Sequence, residues 1–377
     1  MIDRLIAVAT RTIRGRGPGP AFLALALAAA ACGDTLVDHN GGSFVSICQG
    51  TVASCGTGSA CTDCAAGFSV ANATPLCEAG GTCGYQCDPG WLQCATGCCR
   101  ALSVATGWYH TCAILAQPPA TSGQLRCWGA NDQGQLGRDD RLYQDSPLPV
   151  DVAGLASGVT QVSAGAYTTC AIQNGAPYCW GRNSEGQVGA GFTAPYYDYP
   201  QPVTNVPTGG FTQLAPGGGH TCARAATGEV WCWGADDRGQ LGLGQPDTNF
   251  NNKPLRVPSL SGIASVTTGR YHSCALASGG AVSCWGADDY GQIGDAVAEP
   301  FPTGVSVATP TTIASLTGAL AIAAGNQFSL AITAGTPDPQ LWGWGTNASG
   351  ELGSTHPPDQ LSTPTLASAV SVKPDAV

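Results

Sequence analysis

The chain has 377 residues and a net charge of −10, and only 11% of its residues are charged whereas 53 are glycine. A chain of this length exceeds one hydrophobic core, so we expect more than one structural unit. The acidic balance opposes a phosphate backbone and excludes an electrostatic footprint for nucleic acid. A single methionine and little helical periodicity argue against a helical body, and the glycines favour short strands joined by tight turns.

Residues 1–31 have the composition of an export signal. Arg11, Arg14 and Arg16 precede the apolar run at residues 21–31, which is about half of the ~20 residues that a membrane-spanning helix needs. The run ends at Cys32 and resembles the bacterial lipoprotein signal, in which this cysteine carries the lipid, although that signal usually has Leu where Ala29 stands. Without Cys32, the 19 cysteines become an even number. We expect a lipid-anchored protein of the bacterial cell envelope, with secretion as the alternative.

Residues 32–47 are a short polar tether, and a cysteine-rich segment follows at residues 48–99. So many cysteines in a short stretch predict a small disulfide-stapled module in an oxidising compartment. Its spacing loosely resembles modules of the epidermal-growth-factor-like (EGF-like) type, and its connectivity stays open. The cysteines of this segment are Cys48, Cys55, Cys61, Cys64, Cys77, Cys83, Cys87, Cys94, Cys98 and Cys99.

Residues 100–377 repeat one phrase five times. Each copy contains Trp-Gly followed by a turn of the type Gly-Gln-Leu-Gly, and its tryptophans are Trp128, Trp180, Trp233, Trp285 and Trp344. Two strand-like runs precede the strand that carries this tryptophan, and a fourth short apolar stretch ends the copy. Four short strands within ~50 residues is the size of one antiparallel propeller blade.

The cysteines of the repeats occupy two positions. Repeats one to four have one cysteine in the second run and one before the tryptophan, whereas the fifth has Leu330 and Gly343 there. Positions that are filled together and emptied together predict disulfides between neighbouring antiparallel strands. Zinc is the alternative, but it needs thiolates clustered at ligand spacing. The predicted pairs are Cys112 with Cys127, Cys170 with Cys179, Cys222 with Cys232, and Cys274 with Cys284.

The repeated phrase resembles the repeat of the regulator of chromosome condensation (RCC1-like) family, which joins a Gly-x-x-His-Thr strand to Trp-Gly and Gly-Gln-Leu-Gly. Residues 101–353 match it five times. The resemblance implies an all-β propeller of about five four-stranded antiparallel blades, where the family commonly has seven. We expect a small closed or nearly closed ring, with an open arc as the alternative. Residues 366–372 would then complete the first blade or begin a sixth copy.

No catalytic constellation is apparent in the sequence. His110, His220 and His272 share one repeat position, but Thr168 and Phe328 fill it elsewhere, so we expect hydrogen bonds to an adjacent blade in preference to a metal. Asp236-Asp237 and Asp288-Asp289 precede two of the Gly-Gln turns, and we interpret them as turn residues because Asn-Asp, Asn-Ser and Asn-Ala stand there in the other copies. We therefore expect no enzyme activity, no metal and no cofactor.

Functional residues are expected where the repeats differ, above all in the loops after Gly-Gln-Leu-Gly, because equivalent loops of a propeller share a face. Aromatic side chains dominate binding hot spots, although these tyrosines could instead pack on their own blade. The sequence predicts an envelope scaffold that binds an unknown protein or glycan, contacts the membrane only through its lipid, and binds no nucleic acid. The alternatives are nucleotide exchange, enzyme inhibition and, more distantly, an envelope hydrolase or lyase. The candidate binding residues are Tyr143, Phe192, Tyr196, Tyr197, Asp198, Tyr199 and Phe250.

Overall fold

The computed structural model describes much of the chain from residue 72 onward and two short stretches before it. The predicted export signal, Cys32 and most of the predicted cysteine-rich module lie outside the described residues. Within the described part, no helix is long and apolar enough to cross a membrane. The described residues are 36–37, 43–44, 72–77, 83–89, 91–94, 97–117, 119–296, 306–335, 338–353 and 360–367.

The chain divides into two compact units, residues 1–89 and residues 90–377. In the first unit, β1 (Leu36–Val37) pairs with β2 (Ser43–Phe44), and β3 (Ala73–Cys77) pairs with β4 (Cys83–Cys87), both antiparallel. The cysteine-rich module is predicted to end at residue 99, whereas the second unit begins at residue 90. The boundaries differ because residues 97–106 form one continuous strand. Its first residues pair with the short strand at residues 92–94, and its later residues pair with the second strand of the first repeat.

The second unit consists of five antiparallel sheets in which consecutive strands are neighbours. The first sheet contains β5 (Leu92–Cys94), β6 (Gly97–Thr106), β7 (His110–Ala116), β8 (Gln124–Gly129) and β9 (Ser146–Asp151). The second contains β10 (Val159–Ala164), β11 (Thr168–Gln173), β12 (Ala176–Arg182) and β13 (Tyr196–Pro202). The third contains β14 (Phe211–Pro216), β15 (His220–Ala225), β16 (Val230–Asp236) and β17 (Asp247–Arg256). The fourth contains β18 (Ile263–Thr268), β19 (His272–Ala277), β20 (Val282–Ala287) and β21 (Ser306–Thr312). The fifth contains β22 (Ala319–Ala324), β23 (Phe328–Thr333), β24 (Gln340–Thr346) and β25 (Gln360–Leu366).

These sheets are the blades, numbered one to five in chain order. Each has four antiparallel strands, and blade one has the short β5 as an additional strand. The predicted all-β fold of about five four-stranded blades is confirmed. Short apolar strands separated by glycine turns produce it, because each blade has two apolar faces that only neighbouring blades can bury.

Disulfides join the second and third strands of blades one to four. Cys112 lies directly opposite Cys127, and the same register recurs in the next three blades. The structure has all four predicted disulfides. Because the loops that they close are short, each is expected to contribute about 2–3 kcal/mol.

Each disulfide faces the blade that follows it. Cys112 and Cys127 share one buried cluster with Trp180 of blade two, and the three later disulfides pack in the same way with the tryptophan of the next blade. Blade five has Leu330 and Gly343 at these positions, and the described residues include no sixth blade. The cystine is therefore a component of the contact between blades as well as a link within one blade.

Hydrogen bonds repeat at the same contact. The indole Nε1 of each following tryptophan donates to the backbone carbonyl of the glutamine in the preceding Gly-Gln turn. The distances are 3.0 Å for Trp180 to Gln135, 2.8 Å for Trp233 to Gln187, 2.9 Å for Trp285 to Gln240 and 2.9 Å for Trp344 to Gln292. All four of these indoles are fully buried. One tryptophan thus supplies both apolar burial and a satisfied polar group at each contact.

The two ends of the array differ from its interior. Trp128 of blade one is half-buried, packs near Cys99, Ala113 and Leu115, and donates no hydrogen bond to the described residues. The described residues therefore form four blade-to-blade contacts of this kind and lack the fifth, between blade five and blade one, that a fully closed ring would require. The β5–β6 hairpin packs Cys99 against Ala113 and Leu115 instead, on the face of blade one that points away from blade two.

Candidate interaction face

Two kinds of turn emerge at the same end of every blade. In blade one, the turn from Gly107 to His110 joins the innermost strand to the second strand. The third strand ends at the same edge of the blade, just before the Gly-Gln turn. The antiparallel register places both turns together because Gly129 lies opposite His110. All five blades therefore present the turn between their first two strands and their variable loop on one face, which is called the turn face below.

A cavity of about 520 Å³ opens on the turn face where the five innermost strands converge. It is lined in all five blades by the turn that joins the first strand to the second, and we call it the axial cavity. Its walls come close because the turn glycines have no side chain. A Cβ on Gly165 would lie 2.5 Å from the carbonyl oxygen of Gly217, and one on Gly217 would lie 2.5 Å from that of Gly269.

Aromatic side chains surround the mouth of the axial cavity. The ring centroids of Trp108 and Tyr109 lie 5.8 Å and 5.9 Å from that of Tyr167. Trp108 is 40% exposed and Tyr109 is 61% exposed, so these large rings are in contact with solvent. Exposed aromatic groups that cluster in this way mark interaction surfaces.

Arg270 lies within this aromatic cluster. Its guanidinium carbon is 5.4 Å from the ring centroid of Trp108 and 4.8 Å from that of Tyr271, which is cation–π geometry. A second cavity of about 380 Å³ adjoins the first, and Trp108 and Arg270 line both. Phe250, one of the sequence-predicted binding residues, lines the second cavity.

Five of the predicted binding residues lie in strands and not in the expected loops, whereas Tyr143 and Phe192 lie in loops. Tyr196, Tyr197, Asp198 and Tyr199 belong to strand β13, in which Tyr197 pairs with Gly181 and Tyr196 with Arg182, and Phe250 belongs to strand β17. The loop interpretation of these residues was wrong.

Side-chain contacts explain part of this difference. Tyr197 packs against two buried clusters, one between blades one and two and one between blades two and three. The carboxylate of Asp198 accepts a hydrogen bond from the backbone N–H of Arg141 at 3.2 Å. Tyr143 and Tyr196, from neighbouring blades, contact edge to face with centroids 4.9 Å apart. Phe192 is 62% exposed. These residues belong to the outer part of the blades, and the axial cluster was not predicted.

The axial residues had a signal in the sequence. Between the constant glycine and the histidine position, the five repeats have Trp-Tyr, Ala-Tyr, Gly-Gly, Arg-Tyr and Asn-Gln. Such variation inside a constant frame predicts function by the same reasoning that was applied to the longer loops. Only the fold shows that these two-residue turns meet at one axis.

The repeated histidines bind neighbouring blades. Nε2 of His110 lies 2.8 Å from the hydroxyl of Thr169, and His220 and His272 contact Ser273 and Ser329 in the same way at 2.9 Å. Each hydroxyl donates to a backbone glutamine carbonyl, so it must accept from a protonated Nε2. The three Nδ1 atoms are buried without a partner.

Burial lowers the pKa of these histidines to about 4, 3 and 4 respectively, so they are neutral. The described residues contain no group of three or more side chains suited to a metal ion.

Asp236 occupies a turn position that is asparagine in three of the five repeats. Its carboxylate accepts a bond from the backbone N–H of Leu241 at 2.9 Å, as Asn131 does from Leu136 in blade one. Burial, followed by the nearby Asp247 and Asp237, raises the pKa of Asp236 to about 7. The structure uses this carboxylate as a turn acceptor, in line with the turn interpretation.

The blade architecture, its inter-blade tryptophans and the turn face define a repeat-built β-propeller. The family model of the RCC1-like domain matches residues 41–376. The chain belongs to the RCC1-like family.

Relatives share the repeat region at moderate identity. The RCC1 domain-containing protein RUG3, mitochondrial, of Arabidopsis thaliana is 30% identical over 278 residues, covering 69% of this chain and 57% of RUG3. The E3 ubiquitin-protein ligase HERC2 of Homo sapiens is 28% identical over 260 residues, which are 67% of this chain and 5% of HERC2. This chain thus spans less than two thirds of these relatives' length.

Solved structures share the fold. Prp20p of Saccharomyces cerevisiae is 26% identical with a TM-score of 0.58, and the match covers 71% of this chain and 65% of Prp20p. Human WBSCR16 has the same TM-score at 20% identity, covering 70% of this chain and 65% of that one. The second likeness supports the fold alone.

Proposed function

We propose that this chain is a non-catalytic recognition protein that binds a protein partner through the turn face. The observation that carries the proposal is the pair of exposed aromatic side chains at the mouth of the axial cavity, Trp108 and Tyr109, which both contact the half-buried ring of Tyr167. Prp20p, whose structure was described with its binding to Gsp1p and histones, is a relative of this fold that recognises proteins. The ligase activity of HERC2 belongs to a protein of which this chain matches 5%, so it gives no support for an enzyme here.

The turn face is tested by capture of envelope proteins on the full-length chain. Replacing both Trp108 and Tyr109 with Ala is expected to reduce capture of the main partner at least about tenfold, because buried aromatic anchors dominate interface energy. Leu148→Ala is the control, since it removes an exposed apolar side chain that lines neither cavity and is not among the candidate binding residues. Tyr143→Ala with Tyr196→Ala tests the outer site.

The result has a clear contrary outcome. If the axial pair retains capture while the Tyr143 and Tyr196 pair loses it, the outer surface binds the partner and the axial proposal is wrong. If the partner proves to be a GTPase whose nucleotide release the chain accelerates, the exchange alternative replaces simple binding. The variant that lacks both Trp108 and Tyr109 must show unchanged urea unfolding, because both side chains are exposed and their loss should not affect folding.

We further propose that the protein is exported and anchored in a bacterial envelope through lipid on Cys32. The sequence of residues 1–32 and the four disulfides of the repeats support this compartment. Cys32→Ser is expected to move the protein from the membrane fraction to the soluble fraction and to abolish incorporation of labelled palmitate. A Cys32→Ser protein that stays in the membrane fraction would contradict the anchor, and Ser43→Ala in the tether serves as the control.

A further inference from the structure

Arg270 is the only charged residue among those that line the axial cavity. The described residues give its guanidinium no ion pair and no hydrogen bond; its contacts are the rings of Trp108 and Tyr271. Stacking occupies the faces of a guanidinium and leaves its N–H groups at the edge. A pre-oriented and unpaired donor fork therefore lies at the mouth of the cavity.

The walls of the axial cavity favour a slim ligand. Nine of the residues that line the axial cavity are glycine or alanine. Because these residues have small side chains or none, they leave the peptide backbone accessible in the cavity wall. Its volume of about 520 Å³ is in the range of about 300–1,000 Å³ for small-ligand sites. Arginine forks bind carboxylates through two parallel hydrogen bonds, and backbone-lined recesses capture the ends of peptides.

We propose that Arg270 is the anchor for a single carboxylate of the protein partner, contributed by an Asp or Glu side chain or a chain terminus that enters the axial cavity. This proposal rests on the proposed function, because it names the group that the turn face recognises. The aromatic rings hold the guanidinium in place and cover the aliphatic part of the entering segment.

Neighbouring charges support a single carboxylate over an acidic tract. Glu185 and Asp237 line the second cavity, beside the axial one. Glu185 is paired with Arg182, and Asp237 accepts a bond from Gln240 at 3.0 Å. With a net charge of −10, the chain repels polyanions. Arg182 also lines the second cavity, but it is paired with Glu185. Among the described residues that line the two cavities, Arg270 is therefore the cation without an ion pair.

The test is calorimetric titration of the full-length chain with two short peptides. The first is acetyl-Gly-Gly-Glu amide, which carries one carboxylate, and the second is acetyl-Gly-Gly-Gln amide, which carries none. We expect the acidic peptide to bind about tenfold more tightly, as hydrogen bonds to charged groups predict. Arg270→Gln should abolish this discrimination, and Arg270→Lys should retain part of it because the charge persists without the fork.

Arg256→Gln is the control, because it removes an exposed arginine that pairs with Glu229 away from the cavity. Equal affinity for the two peptides, no heat from either up to about 10 mM, or discrimination that survives Arg270→Gln would each overturn the proposal. Tighter binding of maltotetraose than of the acidic peptide would replace it with neutral-glycan recognition. If the Trp108 and Tyr109 variant loses its partner while Arg270→Gln keeps it, the turn face is correct and only the anchor is wrong.

Discussion

Trp233→Ala is expected to lower the free energy of unfolding by about 3–5 kcal/mol, as large buried aromatic truncations do. Trp233 is fully buried against the disulfide of blade two, stacks on Phe211 with centroids 6.0 Å apart, and donates to the carbonyl of Gln187. Alanine removes the apolar contacts and the hydrogen bond together. Urea unfolding followed by circular dichroism measures the loss.

Trp128→Ala is the matched control, because Trp128 occupies the same position of the first repeat. It is only half-buried and its indole has no partner among the described residues. We expect a loss of about 1–2 kcal/mol, from partial apolar burial alone. Equal losses at the two positions would mean that the tryptophan acts within its own blade, and the contact between blades would then not be the source of stability.

Acidification from pH 7 to pH 4 is expected to destabilise the protein by several kcal/mol, on the order of one kcal/mol or more for each buried histidine. His110, His220 and His272 have pKa values lowered to about 4, 3 and 4 by burial, whereas the unfolded chain has the ordinary value near 6.5. Between these values the unfolded state binds protons that the folded state excludes. Stability is therefore present above about pH 6.5 and is lost as the pH falls towards 4.

Asp236 acts in the opposite direction over an overlapping range. Its folded pKa is raised to about 7, so the folded state holds a proton that the unfolded state releases, and stability falls as the pH rises from about 4 to 7. Asp236→Asn should stabilise the protein by about 2 kcal/mol at pH 8 and much less at pH 4. Asparagine fits because Asn131 and Asn183 make the same turn bond in blades one and two.

Urea midpoints of the wild type, His220→Gln and Asp236→Asn at pH 4, 6 and 8 separate these contributions. His220→Gln should lower stability at pH 8 and flatten the decline towards acid, whereas Asp236→Asn should steepen it. Asn131→Asp, which places a carboxylate at the equivalent buried turn, is expected to destabilise the protein at pH 8. A wild-type stability that does not change between pH 7 and 4 would contradict the neutral state of the three histidines.

Repetition explains why so much of the fold could be predicted. Five copies of one phrase define the blade, and the joint loss of both cysteines at Leu330 and Gly343 reveals the disulfide pairs without any coordinates. The sequence could not show why the loss falls in blade five. That reason is geometric, because the cystine packs on the tryptophan of the next blade and blade five has none among the described residues.

The candidate site was predicted less well for a related reason. Tyr196 to Tyr199 have the composition of a binding loop, but they lie in strand β13, where Tyr197 pairs with Gly181 and Tyr196 with Arg182. Trp108, Arg270 and Tyr271 come from turns far apart in the chain, and only convergence at the axis brings them together. A local pattern identifies local structure, whereas a site assembled from several blades depends on curvature that no single repeat encodes.

The disulfides give the array of blades a direction. Each of the first four blades places its cystine on the side of the following blade, so the two ends of the row are unequal. In a row where each repeat is stabilised by itself and by its nearest neighbours, melting starts at the repeat with the fewest couplings. Blade five has one described neighbour and no cystine, whereas blade one has its own cystine and the β5–β6 hairpin. The row should therefore fray from its carboxyl-terminal blade, and reduction of the cystines would weaken four junctions at once.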